Sequence, residues 1–415
     1  MPFSTLGLCP ALVRAVSERG YLAPTAIQSA AIPAILQGQD VLGSADTGSG
    51  KTAAFVLPLL QRFHDTPRER PRQARVLMLV PTRELAAQIG ESVRTLAQHM
   101  SEPVKVSVVF GGVSINPQMM GLRGGTDIVV ATPGRLLDLV DHNALKLSQV
   151  ATLVLDEADR LIDLGFAEEL SRILALLPIQ RQNLLFSATL PPAIQGLAHD
   201  MLQAPVRIDV PSELQTQPDI TQRAIEVDAN RRTQLLRHLI QQHAWERTLV
   251  FVATKFATEI VADKLRKAGI DAEPFHGQLS QGKRTQVLAD FKASHIQVVV
   301  ATDVAARGID IAQLPVVVNY DLPRSADDYT HRIGRTGRAG ASGLAVNFIS
   351  ADTEAHFRLI EKRQHIHVAR EQIAGFEPTA VPASPGNSPH APGNGGIKGK
   401  RPSKKDKLRQ AAARQ

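Results

Sequence analysis

Cysteine is almost missing from this 415-residue chain: there is one, Cys9. That excludes a disulfide framework within the chain and fits a reducing compartment, so a cytoplasmic protein is expected. Aromatic residues are scarce at 4%, with a single tryptophan, Trp245, which argues against a broad base-stacking platform and assigns Trp245 to packing. No run approaches the ~18 consecutive apolar residues of a membrane helix, so no membrane partner is expected. The opening stretch, MPFSTLGLCPALVRAV, lacks a basic region followed by a continuous apolar one, and no signal peptide is expected. Net charge is missing from most of the chain as well. Lys and Arg number 47 against 40 acids, and the same excess of seven is found between Lys398 and Gln415, where eight Lys/Arg face only Asp406. Residues 1–397 therefore sum to zero. A nucleic acid would have to be held in the core by placed groups, with only the C-terminal stretch acting as a non-specific hook for polyanions.

What is present is a repeated strand signal. A chain of this length exceeds one hydrophobic core, so two domains are expected. Apolar runs recur between helix-like segments: DVLGSA (40–45), RVLMLVP (75–81), KVSVVFG (105–111), DIVVATP (127–133), TLVLDEAD (152–159) and NLLFSAT (183–189). After the polar stretch VPSELQTQPDITQ (210–222) the pattern restarts with RTLVFVAT (247–254), IQVVVATD (296–303), PVVVNYD (315–321) and GLAVNFIS (343–350). Runs that are apolar on both faces suit the central strands of parallel sheets covered by helices. The expected fold is α/β, with parallel-sheet domains at 1–209 and 221–374 and a linker at 210–220. Ten of the 22 residues from Gly375 to Gly396 are Gly or Pro, so 375–415 is expected to be a disordered basic tail. As a flexible chain it would reach roughly 35 Å.

Two motifs in the first half carry chemistry. VLGSADTGSGKTAAF places a turn-rich loop between a strand and a helix, and Gly50-Lys51-Thr52 matches the end of a phosphate-binding loop, with Ala45 where its first glycine usually stands. Loop amides and the positive end of the helix suit β- and γ-phosphates. Lys51 can reach them, and the Thr52 hydroxyl can ligate Mg²⁺. The second motif is a puzzle of charge: Asp156, Glu157 and Asp159 crowd together directly after Leu153-Val154-Leu155. Like charges at a buried strand end need a cation. In phosphate-loop enzymes an acid at the end of a neighbouring strand shares the Mg²⁺ with the loop hydroxyl, which makes Asp156 the metal residue, directly or through water. Glu157 is then placed to orient and deprotonate an attacking water, and Asp159 to hydrogen-bond elsewhere.

These motifs in order give a resemblance. DEAD at 156–159, preceded by ADTGSGKT and followed by SAT at 187–189, resembles a DEAD-box RNA helicase of superfamily two, and the match runs from residue 3 to about 350. GYLAPTAIQ (20–28) resembles the adenine-reading Q motif, PTREL (81–85), GG (111–112) and TPGR (132–135) the first-domain RNA motifs, and VFVAT, ATDVAARGID (301–310) and HRIGRTGR (331–338) the second-domain motifs. The wording of GGVSINPQMMGLRGG and SQGKRTQVLADFK is most similar to the bacterial RhlE-type subgroup.

The resemblance implies two tandem RecA-like domains, ATP and Mg²⁺ as cofactors, and RNA as partner, with ribosomal or RNA-degradation assemblies among the settings such a protein serves. It places ATP against Phe3, Gln28, Thr47, Gly48, Ser49, Gly50, Lys51, Thr52 and Asp310. Gln28 would read adenine through its amide and Phe3 would stack on the base. Catalysis would rest on Lys51, Asp156 and Glu157, with Arg335 and Arg338 as arginine fingers entering from the second domain. RNA would be held through backbone and 2′-hydroxyls by Thr82, Arg83, Gly112, Thr132, Gly134 and Arg135 from the first domain. The second domain would add Gly277, Gln281, Arg284, Thr302 and Arg307. Asp159, Ser187, Thr189, Asp303 and His331 would couple the domains.

The expected activity is an RNA-stimulated ATPase that closes on RNA and separates short duplexes without processive travel. The alternatives are an RNA clamp or assembly platform without productive unwinding and, as a third class, a DNA translocase, against which the Q motif and the DEAD tetrad argue. The sequence departs from the family pattern at Gln278, where Asp is usual, and at Asp46, where Gln is usual. The first removes a charged contact, and the second adds a carboxylate near the phosphates that is expected to weaken nucleotide binding.

Overall fold

In a computed structural model, residues 2–45, 48–66, 70–210, 220–306, 314–337 and 342–379 are described. Asp46, Thr47, Arg307, Asp310, Arg338, the linker interior and everything beyond Thr379 lie outside them. The first half contributes strands β1 (Val41–Ser44), β2 (Val76–Leu79), β3 (Val106–Val109), β4 (Ile128–Ala131), β5 (Thr152–Leu155), β6 (Gln182–Ser187) and β7 (Val206–Asp209). The second contributes β8 (Ile220–Glu226), β9 (Thr248–Phe251), β10 (Ala272–Phe275), β11 (Val298–Ala301), β12 (Val316–Asn319), β13 (Gly343–Ile349) and β14 (Arg370–Glu371). They form two seven-stranded sheets in the orders β3-β4-β2-β5-β6-β1-β7 and β10-β11-β9-β12-β13-β8-β14. Every pairing within them is parallel.

The apolar runs explain the layering. Along β2, Val76 and Met78 join one core and Leu77 and Leu79 the other. Along β9, Val250 and the pair Leu249 and Phe251 divide in the same way. The period of two splits each strand between cores on opposite faces, and helices close both. At ~25 cal/mol per Å², each buried Val, Leu or Ile contributes about 1.5–3 kcal/mol. Among the described residues no helix is long and apolar enough to cross a membrane. Cys9 and Trp245 are buried.

Four strands were not expected from the sequence: β7, β8, β10 and β14. Three of them lie at or next to a sheet edge and carry polar residues, and β10 (AEPF) holds a proline that only an edge strand tolerates. The expected tail also begins too early. The Phe376 ring lies 5.3 Å from His238 and beneath the Arg231 guanidinium at 5.2 Å, and Thr379 donates to Asp228 from its hydroxyl at 2.7 Å. Residues 375–379 are therefore packed on the second half.

Candidate functional site

In a parallel sheet every strand ends on the same edge, and β5, β6 and β1 are neighbours there. Their exits bring together the glycine-rich loop, the acidic tetrad and Ser187-Ala188-Thr189. Gly50, at φ 92°, caps the helix Lys51–Asp65, and Gly48 at φ 91° makes the turn before it. Both need the left-handed region that glycine enters freely. Lys51 is buried to 8% exposure and its ammonium donates to the Ala45 carbonyl at 2.6 Å. The Ser49 hydroxyl is buried without a partner among the described residues, an orphaned polar atom lining the loop. Gln28 accepts from the Thr25 amide at 3.0 Å and donates to the Gly50 carbonyl at 3.1 Å. A Cβ on Gly50 would collide with that amide. Gln28 thus ties the Q motif to the phosphate loop while keeping one N–H and one oxygen lone pair for a base. Phe3 is buried at 4% exposure in the first core, so packing is the role its position displays.

Asp156 is 3% exposed, and one oxygen accepts the Glu157 amide at 3.0 Å. Burial pushes its carboxyl upward while the Lys51 ammonium pulls it down. Among the described residues no three His, Cys, Asp or Glu gather to hold a metal. A cation here would need phosphate oxygens and water as further ligands, which is how Mg²⁺ is bound, and Asp156 with the Thr52 hydroxyl fits that donor set. Glu157 sits at φ 51°, ψ 51°, a left-handed conformation costing about 1–3 kcal/mol in a non-glycine residue. Burial, with Asp156 beside it, raises its carboxyl to about 7, against the pull of Lys51 and of Arg335 from the other half. An acid poised near neutrality suits general-base work. Asp159 bonds elsewhere, as expected: it accepts from the Thr189 amide at 3.0 Å and hydroxyl at 2.8 Å, while its own amide donates to the Ser187 hydroxyl.

The second half closes this site. Arg335 acts electrostatically on Glu157, and His331 is held down to about 4 by burial and by Arg160 of the first half. Arg160 forms an ion pair across the seam with Asp328 at 3.2 Å. Asp303, expected at the seam, is committed within its own half: both its oxygens take the Arg332 guanidinium, at 2.5 and 2.7 Å. Arg332 also bonds Asn319 and lies over the Phe251 ring at 4.8 Å, which anchors the segment that carries Arg335. Asp303 is therefore a positioning residue rather than a bridge.

The residues expected on RNA divide. In the first half Arg83 lies against Gly112, at φ 75°, where a Cβ would collide with the guanidinium. The Thr82 hydroxyl caps the helix Arg83–Leu96 by accepting from Leu85, and Thr132 accepts from the Gly111 amide. Arg135, one residue past Gly134, donates to the Val113 carbonyl at 2.8 Å and keeps Nη1 buried without a partner among the described residues. In the second half Gly277 is exposed and Thr302 half-buried. Gln281 and Arg284 lie elsewhere than expected: both reach Glu84 of the first half, Gln281 at 3.4 Å and Arg284 at 2.9 Å, with Arg284 4% exposed over the Phe275 ring. Sequence reasoning missed Glu84, Arg160 and Asp328. Glu84 and Arg160 stand inside or beside quoted motifs, but their partners lie some 170–200 residues away.

Comparison with known proteins agrees with this geometry. Residues 25–197 match the DEAD/DEAH box helicase model and residues 231–340 the helicase conserved C-terminal domain. The DEAD-box ATP-dependent RNA helicase CshA of Bacillus cereus is 41% identical over 360 residues, covering 87% of this chain and 67% of that protein. The ATP-dependent rRNA helicase rrp3 of Sclerotinia sclerotiorum is 41% identical over 383 residues, covering 91% and 78%. Among solved structures, S. cerevisiae Dbp5 bound to RNA and ADP BeF3 superposes with a TM-score of 0.79 at 28% identity, covering 89% of this chain and 95% of that one. A DEAD box protein from Methanococcus jannaschii gives 0.50 despite 36% identity, with coverage of 89% and 99%. The chain belongs to the DEAD-box RNA helicase family.

Proposed function

We propose that this chain, an ATP-dependent RNA helicase by family, couples ATP turnover to closure of its two halves on RNA and so separates short duplexes locally. The observation that carries the reading is a catalytic edge split between the halves: Glu157 belongs to the first and Arg335 of the second acts on its charge, while His331 of the second faces Arg160 and Asp159 of the first. Thr52 and Asp156 would hold Mg²⁺, which supplies positive charge to the triphosphate when bound. Lys51 and the loop amides orient the phosphates, Glu157 takes the proton of the attacking water, and Arg335 stabilises the γ-phosphoryl charge. Gln28 meets the adenine, and Arg83, Gly112 and Arg135 hold the RNA backbone.

ATP and RNA both favour the closed state, so each strengthens the other's binding by the same factor. With DNA stacking as a proxy, each base-pair step costs ~1.4 kcal/mol, so separating three or four steps needs about 5 kcal/mol. One closure event supplies that, and a long duplex exceeds it. The test is ATP turnover with and without single-stranded RNA, in the native chain and in Glu157→Gln, beside displacement of a 10–15-base-pair duplex (about one helical turn). RNA should stimulate turnover, Glu157→Gln should lose ~10²–10⁴-fold of it, and the duplex should separate. Stimulation without displacement would make the protein an RNA clamp. No stimulation would overturn the reading.

A further inference from the structure

Most large apolar side chains are buried, but Phe256 is 71% exposed. It lies in the first turn of the helix Lys255–Arg266, which Thr254 caps by accepting from the Ala257 amide at 3.1 Å. The strand order β10-β11-β9 puts this turn beside the exits of β11 and β10, the sites of Thr302 and Gly277. One helical turn on, and on the same face, Glu259 accepts from Nε2 of the His276 ring at 2.7 Å, which pins that face to the His276-Gly277 turn. Val304, just past Thr302 at the exit of β11, the strand between β9 and β10, is 55% exposed, so a second apolar residue is uncovered on this edge. Lys255 is exposed and makes no ion pair among the described residues. An uncovered ring beside a free cation, continuous with a backbone-binding edge, has the composition of a single-strand stacking site: charge for the phosphate and a π-face for the base.

We propose that Phe256 stacks on one base of the bound single strand, with Lys255 on the adjoining phosphate. The inference rests on the RNA reading above and adds to it a base contact in a track otherwise made of backbone contacts. Stacking is sequence-tolerant, so the site would grip any base and lose its grip only where a base is missing.

The test measures affinity of the full chain for a labelled ten-nucleotide single strand in the presence of ADP and beryllium fluoride. Phe256→Ala should weaken binding about five- to a hundredfold, the span seen for loss of one stacked base. Phe256→Trp should bind within twofold of the native chain, and Phe256→Leu, apolar but ringless, should resemble Ala. A strand with a single abasic site walked along it should bind more weakly at one register in the native chain and equally at all registers in Phe256→Ala. If the native chain binds RNA and Phe256→Ala binds as tightly, the stacking proposal falls and the exposed ring belongs to a protein contact. If the native chain binds no RNA, the RNA reading falls and takes the stacking proposal with it.

Discussion

Among the described residues, two of the places where the halves of this molecule meet are opposite in character. At one, Glu84 meets Gln281 and Arg284, a carboxylate and a guanidinium at 2.9 Å, each about 5% exposed. The charges are paired, and both are out of water. At the other, where Arg160 pairs with Asp328 across the seam, Glu157 and His331 are left with their charges unsettled: the Glu157 carboxyl is raised to about 7 and the His331 ring lowered to about 4. A paired contact can hold a geometry but offers a ligand no net charge, and here only Arg284 Nε and Gln281 Oε1 stay buried without partners among the described residues. An unsettled one is poorly stable alone and is completed by something that brings charge, as a triphosphate does. The difference separates a latch from a reaction site.

Breaking the reaction site should have the largest effect. Arg335→Ala should lower kcat for RNA-stimulated ATP turnover by ~10³-fold or more, the contribution of an arginine finger. Arg335→Lys should recover little, because an ammonium lacks the planar fork. A loss below tenfold in steady-state assays would move the finger role to Arg338. The latch should respond more weakly and in another observable. Glu84→Leu leaves the Arg284 charge buried and unpaired, a loss of about 3–5 kcal/mol in the closed state, so RNA affinity with ADP and beryllium fluoride should fall a hundredfold or more. Adding Arg284→Met should restore most of it, since an apolar pair of similar volume tolerates burial. If the double variant binds no better than the single, the two residues do not act as a pair.

A pH titration sharpens the contrast. His331 is neutral when closed, with its proton affinity depressed from 6.5 to about 4, and it faces Arg160, Arg335, Asp159 and Asp328. At this ring the closed state therefore binds fewer protons than the open one between those values, and in Glu157→Gln, which lacks the opposing rise of that carboxyl to about 7, only this titration remains. Its advantage is complete above pH 6.5 and is lost as pH falls toward 4. RNA affinity in the closed complex should drop by up to about tenfold per pH unit inside that window. His331→Gln should flatten the dependence, whereas Glu84→Leu should shift the curve down without changing its shape.

Much of this was legible in the sequence because it is local. Strand cores show as apolar runs, the loop shows as Gly50-Lys51-Thr52, and the bond from Asp159 to Thr189 follows from two motifs that exit neighbouring strands. What stayed hidden was pairing across the halves. Nothing at Glu84 announces Arg284, and Arg284 among basic and polar neighbours reads as a phosphate ligand until burial and partner are seen. Asp303 misled for the same reason: its motif suggested the seam, while Arg332, 29 residues on, takes both its oxygens. The edge strands escaped because Pro274 and the polar faces of β7 and β8 hide the period that marks a central strand.

The smallest expected effect concerns charge that belongs to neither contact. The seven excess positive charges from Lys398 onward lie past the last described residue, Thr379. A cut after Thr379 should spare the fold and remove a screened, non-specific contribution to RNA binding. The slope of log affinity against log salt should become shallower by up to about five, at ~0.7 per phosphate released from a single strand. Affinity in molar salt should hardly change, since ions at that concentration screen beyond about 3 Å. A cut after Ala374 should do the same to the slope and also cost stability, because Phe376 then no longer covers His238 and Arg231. Half-burial of one such ring is worth about 1 kcal/mol, which in a domain of this size moves Tm by roughly 2–4 °C. Equal melting temperatures for the two truncations would return residues 375–379 to the tail, and equal salt slopes for the full and shortened chains would leave RNA binding wholly to the placed groups of the core.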